Sequence, residues 1–194
     1  MFNGIIYNTA SVQKISKEKN SLEISLKTNL AFNKSDIGSS VSCNGTCLTI
    51  TKVGKNLIDF YLSKETLDQT NFKFIKKGGI INLEKSLTYG KKISGHYVQG
   101  HTDTTGKVTN ISIQNKTWVI TFEIKKIFQK YLVDKASIAI NGVSLTVSKI
   151  KKNKFEVNVI PHTLKLTNLI ALKKNYNVNI EFDIFSKYLL NLKK

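Results

Sequence analysis

Cys47, His101, Ser144 and Thr146 are the side chains of this 194-residue chain with the most to offer a reaction: a thiol, an imidazole and two hydroxyls. Such groups carry proton transfer and nucleophilic addition near neutral pH. Three of the four lie in a stretch that occurs twice. The first copy is Ser40-Val-Ser-Cys-Asn-Gly-Thr-Cys-Leu-Thr-Ile50, the second Ser137-Ile-Ala-Ile-Asn-Gly-Val-Ser-Leu-Thr-Val147. Each is two short alternating runs joined by Asn-Gly, which predicts a hairpin with a type I′ turn. With the turn at Asn44-Gly45, Ser42 lies opposite Cys47 and Ser40 opposite Thr49. Strand side chains alternate between faces. One face then carries Ser40, Ser42, Cys47 and Thr49, and the other Val41, Cys43, Leu48 and Ile50. The second copy divides into Ser137, Ala139, Ser144, Thr146 and Ile138, Ile140, Leu145, Val147. The apolar face belongs to a core. The polar face suits a shallow polar site.

The elements that position these hairpins repeat as well. Gly4–Val12 resembles Gly100–Val108, Thr66–Phe72 resembles Thr163–Leu169, and Asn82-Leu-Glu84 resembles Asn179-Ile-Glu181. The offset is 96 at the first pair and 97 at the others. A nearly constant offset across separated segments predicts a duplicated domain. The expected units are residues 1–96, 97–186 and a C-terminal helix at 187–194, with the junction near Lys91–Tyr97. Alternating runs such as Leu22–Leu26, Ile58–Leu62, Trp118–Phe122 and Phe155–Ile160 predict strands. Several short strands per half predict a small closed β-barrel, which leaves no open edge. Short helical turns are expected at Ser63–Asn71 and Pro161–Leu169, the second started by the only proline. Apolar residues at 185, 188, 189 and 192 have helical spacing. That stripe has no partner within a barrel and is expected to pack on another chain.

The halves differ where chemistry is at stake: Ile5 stands against His101, Cys47 against Ser144, and Glu65 against His162. Taken singly, Cys47 reads as a small buried residue and His101 as a polar residue at a strand end. Taken with the hydroxyl-lined hairpins, they read as two related ligand sites used in different roles.

Composition excludes several classes. No apolar run approaches the ~20 residues of a membrane span. The start Met1-Phe-Asn-Gly-Ile-Ile lacks the basic region and cleavage site of a signal peptide, so the cytoplasm is expected. The formal charge of +17 suggests nucleic acid, but all 30 basic residues are Lys. Nucleic-acid readers favour Arg forks, and single-strand binders favour exposed aromatic platforms. A solvated basic surface is the expected reading. Cys43-x3-Cys47 with His96-x4-His101 has metal-ligand types, but the hairpin turns the two thiols to opposite faces, which argues against zinc and against a disulfide.

The start Met1-Phe-x-Gly-Ile, the Asn-Gly-x-Cys-Leu-Thr hairpin, Gly95-His-Tyr-Val-Gln-Gly-His101, Asn141-Gly-Val-Ser-Leu-Thr146 and Ile160-Pro-His-Thr-Leu164 together resemble the riboflavin synthase family, alpha-chain type. The resemblance spans essentially the whole chain. It implies an all-β fold of tandem six-stranded Greek-key barrels with a C-terminal α-helix, and a homotrimer held partly by that helix. It implies a reaction in which two molecules of 6,7-dimethyl-8-ribityllumazine exchange a four-carbon unit, giving riboflavin and 5-amino-6-(ribitylamino)uracil. It also implies that no metal or redox cofactor is used, and that the site forms between the first barrel of one subunit and the second barrel of its neighbour.

Carried over by position, the implied ligand contacts begin with Gly4, Ile5 and Ile6. They continue on the first hairpin with Ser40, Cys47, Leu48 and Thr49, and beyond it with Tyr61, Leu62, Ser63, Lys64, Glu65 and Thr66. Gly100, His101, Thr102 and Lys135 follow, then Ser144, Leu145 and Thr146. Ile160, Pro161, His162, Thr163, Leu164 and Lys165 close the set. Cys47, His101, Ser144, Thr146 and Asp183 match positions that the family links to activity. Asn3 departs from the family's usual Thr. In the implied chemistry one lumazine loses a proton from its 7-methyl group, and His101 is the natural general base. The other is attacked at C7 by water, a ribityl hydroxyl or a side chain. Ser144 and Thr146 would relay the proton or hold that nucleophile, and Cys47 would assist at the acceptor ring. The rival reading is a non-catalytic lumazine- or flavin-binding fluorescent relative. Such proteins tend to lose the paired polar residues kept here.

Overall fold

The computed structural model describes residues 1–192. Lys193 and Lys194, the end of the expected 187–194 segment, lie outside the described residues. The first half contains β1 (Asn8–Lys17), β2 (Ser21–Lys27), β3 (Ser40–Cys43), β4 (Thr46–Gly54), β5 (Leu57–Ser63), α1 (Lys64–Gln69) and β6 (Ile80–Lys85). The second repeats it with β7 (Thr104–Gln114), β8 (Thr117–Glu123), β9 (Ser137–Ile140), β10 (Val143–Lys151), β11 (Lys154–Val159), α2 (Pro161–Leu166) and β12 (Asn177–Phe182). A final helix, α3, spans Ile184–Asn191. It starts inside the expected 97–186 unit because Asp183 accepts the Phe185 N–H at 2.9 Å and caps it there.

The six antiparallel strands of each half close into a barrel, ordered β1-β2-β5-β4-β3-β6 and, equivalently, β7-β8-β11-β10-β9-β12. Closure needs strong local bending. It is supplied by bulges at Val12–Lys14 and Ile50–Lys52, matched in the second barrel at Val108–Asn110 and Val147–Lys149. Alternation fills the interiors. Ile24, Leu26, Phe60 and Leu62 point inward in the first barrel, and Phe122, Phe155, Val157 and Val159 in the second. Both hairpins have the expected register: Ser42 pairs Cys47 and Ser40 pairs Thr49, while Ala139 pairs Ser144 and Ser137 pairs Thr146. Asn44 and Asn141 have φ of 48° and 46°, as a type I′ turn requires.

The two turns meet. A Cβ on Gly45 would lie 2.6 Å from the Gly142 nitrogen, so only a residue without one fits. Around this point the barrels are joined by asparagine side chains related by the repeat. Asn82 Nδ2 donates to the Asn141 carbonyl and Asn179 Nδ2 to the Asn44 carbonyl, both at 2.9 Å. The Asn168 N–H donates to Asn82 Oδ1 at 2.7 Å and the Asn71 N–H to Asn179 Oδ1 at 2.6 Å. Asn44 Oδ1 and Asn141 Oδ1 accept the backbone N–H of Asn82 and Asn179 at 2.9 and 2.8 Å. Asn82 and Asn179 are buried, so each amide has exchanged water for a partner on the other half.

Replacing Asn179 by Ala leaves the Asn44 carbonyl and the Asn71 N–H without these partners. Each orphaned buried group costs about 1–3 kcal/mol. Asn179→Ala, and equally Asn82→Ala, is expected to lower unfolding stability by about 2–5 kcal/mol in urea titrations, whereas alanine at the exposed Thr49 is expected to change it by less than about 0.5 kcal/mol.

Candidate active site

Two segments outside the barrel ladders bring the hairpins into working order. Residues 2–6 precede β1 and residues 98–102 precede β7, and they run side by side between the barrels. The Phe2 N–H donates to the Val98 carbonyl at 2.8 Å and the Val98 N–H returns to the Phe2 carbonyl at 3.1 Å. Each then docks on a hairpin of the other half. The Ser144 N–H donates to the Gly4 carbonyl, and the Cys47 N–H to the Gly100 carbonyl, both at 2.7 Å. The approach is close enough that a Cβ on Gly100 would lie 2.7 Å from Cys47 Cβ. His101 therefore emerges beside Cys47, with Thr102 Oγ1 3.2 Å from Thr46 Oγ1 behind it. Ile5 emerges beside Ser144, and Ile6 inserts into the core of the second barrel.

The Ser144 side carries an imidazole, His96, that the sequence offers only as a metal-ligand type. His96 Nδ1 lies 2.8 Å from Ser144 Oγ, and His96 Nε2 is buried with no hydrogen-bond partner. Burial pushes the His96 imidazole below its usual range, and the Asp183 carboxylate pulls the other way. The ring is thus held toward its neutral form, able to exchange a proton with the serine hydroxyl. His96 lies in the same Gly95–His101 motif as His101. The missing signal was spatial, since His96 and Ser144 are far apart in the chain.

The expected residues divide by position. Cys47 is half-buried against Gly100, and Cys43 lies in the first core, as the hairpin faces require. His101, Thr49 and Thr146 are exposed, and Ser40 and Leu145 half-buried. Ser42 corrects the expectation that the whole polar face lines a site: it is 0% exposed, turned into the seam beside Gly142. Ile6, Leu48, Leu62 and Leu164 are core side chains, leaving only their backbone for a ligand. Tyr61, Ser63, Lys64 and Glu65 are exposed at the end of β5 and the head of α1, with Thr66 half-buried. Ile160, Pro161, His162 and Lys165 are exposed at the matching head of α2, with Thr163 half-buried. The Lys135 Nζ donates to the Ser148 carbonyl at 3.3 Å. Asp183 caps α3 and its charge reaches His96. Helix α3 is tied down by Lys187, whose Nζ lies 3.0 Å from both carboxylate oxygens of Asp103.

Glu84 and Glu181 lie beneath the crossing segments. Burial pushes each carboxyl up to about 7, against backbone N–H donors that pull it down; at Glu181, Lys187 also lowers it and Asp103 raises it. A groove of about 710 Å³ opens elsewhere on the seam, lined in part by Phe74, Ile75, Asn168, Leu172 and Tyr176, and none of the chemically expected residues line it. The hairpin faces are instead open, with Thr49, His101 and Thr146 exposed.

The Lumazine binding domain model matches residues 3–86 and again residues 99–183. The chain is 35% identical to the riboflavin synthase of Buchnera aphidicola subsp. Schizaphis graminum, over 100% of this chain and 94% of that one. It is 36% identical to the riboflavin synthase of Escherichia coli (strain K12), over 94% of this chain and 87% of that one. The crystal structure of LumP complexed with riboflavin matches with a TM-score of 0.84 at 24% identity, covering 94% of this chain and 99% of that chain, and so shares the fold. The two barrels are thus a tandem pair of lumazine binding domains. Within that class the chain belongs to the riboflavin synthase family.

The raised carboxyls have a consequence for stability. Between an ordinary value near 4.5 and about 7, the folded chain holds protons that the unfolded chain has released. The stabilisation they give is complete below the lower value and lost as the pH rises through the upper one. A glutamine does not titrate. The stability of the wild type relative to Glu84→Gln or Glu181→Gln is therefore expected to fall between about pH 5 and about pH 8, measured by chemical denaturation across that range.

Proposed function

We propose that the chain catalyses the dismutation of 6,7-dimethyl-8-ribityllumazine, two molecules giving riboflavin and 5-amino-6-(ribitylamino)uracil. Membership of the riboflavin synthase family supports an enzyme of this kind. One structural observation carries the mechanism: equivalent hairpins of the two barrels present unlike groups, Cys47 beside His101 and Ser144 bonded to His96. A reaction between two copies of one molecule needs this asymmetry, because one copy must become nucleophilic and the other electrophilic.

In this reading the imidazole of His101, exposed beside Cys47, removes a proton from the 7-methyl group of the donor lumazine, and the ring system delocalises the resulting charge. The Ser144–His96 pair activates the acceptor. Neutral His96 takes the proton as the Ser144 hydroxyl, or a hydroxyl or water it orients, adds to C7. Thr146 lines the same face, and Asp183 stabilises the imidazolium that forms at His96. The exchange balances between two identical molecules and calls for no external oxidant or reductant. Much of the rate comes from holding two flat rings face to face.

The open faces support a site shared between chains, the first barrel of one copy meeting the second barrel of the next in a homotrimer. The apolar residues Phe185, Tyr188, Leu189 and Leu192 on and beside α3 are all exposed in the single chain. They form the contact that assembles it. The units of function in this reading are residues 1–96 and 97–186, with the remaining C-terminal residues serving assembly. No described helix is long and apolar enough to cross a membrane. The cytoplasm, where a polar ribityl substrate is available, is the proposed location.

Mixing the protein with the lumazine alone and following riboflavin fluorescence tests the reaction; binding without turnover would instead support the non-catalytic relative. His101→Gln and His96→Gln are each expected to leave ligand titration within a few-fold while slowing single-turnover flavin formation by about 10²–10⁴-fold. Cys47→Ser, which imitates the second hairpin, is expected to be milder. Wild-type rates in both histidine variants would place the proton transfers elsewhere. Deleting residues 186–194 is expected to shift sedimentation from trimer to smaller species; a fully trimeric truncated chain would remove α3 from the assembly.

A further inference from the structure

The repeated Asn-[Leu/Ile]-Glu motif contains two glutamates that the proposed chemistry leaves unused. Glu84 lies in β6 and Glu181 in β12, at the same position of the last strand of each barrel. Both oxygens of each are directed at backbone N–H groups. Glu84 accepts from Asn3 at 2.7 Å and Gly4 at 2.9 Å. Glu181 accepts from Gln99 at 2.6 Å and from Gly100 and His101 at 2.9 Å. The segments so held are the two that cross the seam. Each passes on a carbonyl, Gly4 to the Ser144 N–H and Gly100 to the Cys47 N–H.

We propose that Glu84 and Glu181 are crossed positioning residues. Glu84, on the first barrel, sets Ser144 in the second; Glu181, on the second barrel, sets Cys47 in the first and the His101 that emerges beside it. This rests on the reading of those three side chains as reacting groups. Crossing segments have no ladder neighbour on this side, so without the carboxylates their N–H groups would be buried unpaired. A carboxylate, the form each glutamate takes as the pH rises through about 7, offers acceptors on both oxygens and makes short, charge-assisted bonds to converging donors. Glutamine offers one acceptor oxygen and turns an NH₂ group against the remaining N–H. The segment must then shift, and the reacting side chain with it. Displacement of about 1 Å by a change away from the reacting atoms can cost about 10²-fold in rate.

The crossing separates positioning from general damage. In full-length, ¹⁵N-labelled protein, Glu181→Gln is expected to move the amide resonances of Cys47, Gly100 and His101 and the ring titration of His101, while leaving Ser144 and His96 in place. Glu84→Gln is expected to move Asn3, Gly4 and Ser144 and the ring titration of His96, while leaving Cys47 and His101. Each variant is expected to lower kcat with the lumazine by about 10–10²-fold, with a smaller change in KM. Perturbation confined to the mutated barrel's own hairpin, equal perturbation of both hairpins, or no perturbation at either would overturn the proposal. Should a variant fail to fold, hydrogen exchange on the wild type decides. Amides 3–4 and 99–101 lie outside the strands and are expected to be protected; exchange at open-loop rates would overturn it. If wild-type protein makes no riboflavin, the functional reading fails, and the resonance pattern still tests the crossing.

Discussion

Everything else in this molecule depends on two Asn-Gly turns that touch. Each turn closes a hairpin by the left-handed conformation that asparagine tolerates and glycine prefers, and each glycine leaves room for the other's backbone. Contact this close would ordinarily strand polar backbone away from water. The asparagines at 44, 71, 82 and their repeats at 141, 168, 179 remove that cost by bonding across it. A hydrophobic seam of the same area would hold the barrels together but would let them slide. Amides with fixed donors and acceptors allow one register. That register decides which residue of a crossing segment meets which residue of a hairpin.

Near-symmetry and its breakdown are therefore sorted by depth. At the seam the repeat is kept nearly atom for atom: asparagine against asparagine, glycine against glycine, glutamate against glutamate. One step outward, where a ligand would lie, it breaks: Cys47 against Ser144, Ile5 against His101. The first layer cannot change without losing partners in both barrels at once. The second layer is tied through its backbone, Gly4 carbonyl to Ser144 N–H and Gly100 carbonyl to Cys47 N–H, so its side chains are free to diverge. A symmetric frame can in this way carry two unlike sites.

Much of this was legible in the sequence. Asn-Gly between alternating runs fixed both hairpin registers residue by residue, because a two-residue turn leaves no slack and a one-residue slip would turn Cys43 out of the core. The duplication, the barrels and the two short helices followed from patterns of local type. What was not legible depended on which half faces which. Ser42 read as a site residue because alternation reports only the face and not what covers it. The crossing of the Ile6 side chain into the other barrel depends on that packing too, and leaves its backbone to a ligand. His96 carried no local mark separating it from His101, since its meaning comes from Ser144. The repeated Asn-x-Glu motif was visible as repetition, but only the seam reveals that its asparagine joins the barrels and its glutamate holds the crossing strands.

The same logic accounts for the open hairpin faces. In the proposed reaction, a flat ring bound on one barrel of a single chain would keep one side in water. Within one chain the seam already occupies the space between the hairpins: Phe2, Val98 and Ala139 fill it, with Cys47 at its edge. Two ligands cannot therefore stack across the intrachain junction. His101, Thr49 and Thr146 are by contrast exposed. In the proposed homotrimer, a second copy would bring an unlike face opposite and exclude water from between. In that reading the rigidity of the seam has a second role: it would hold the two hairpin faces at a fixed angle, so that one mode of association between copies aligns each face with its complement.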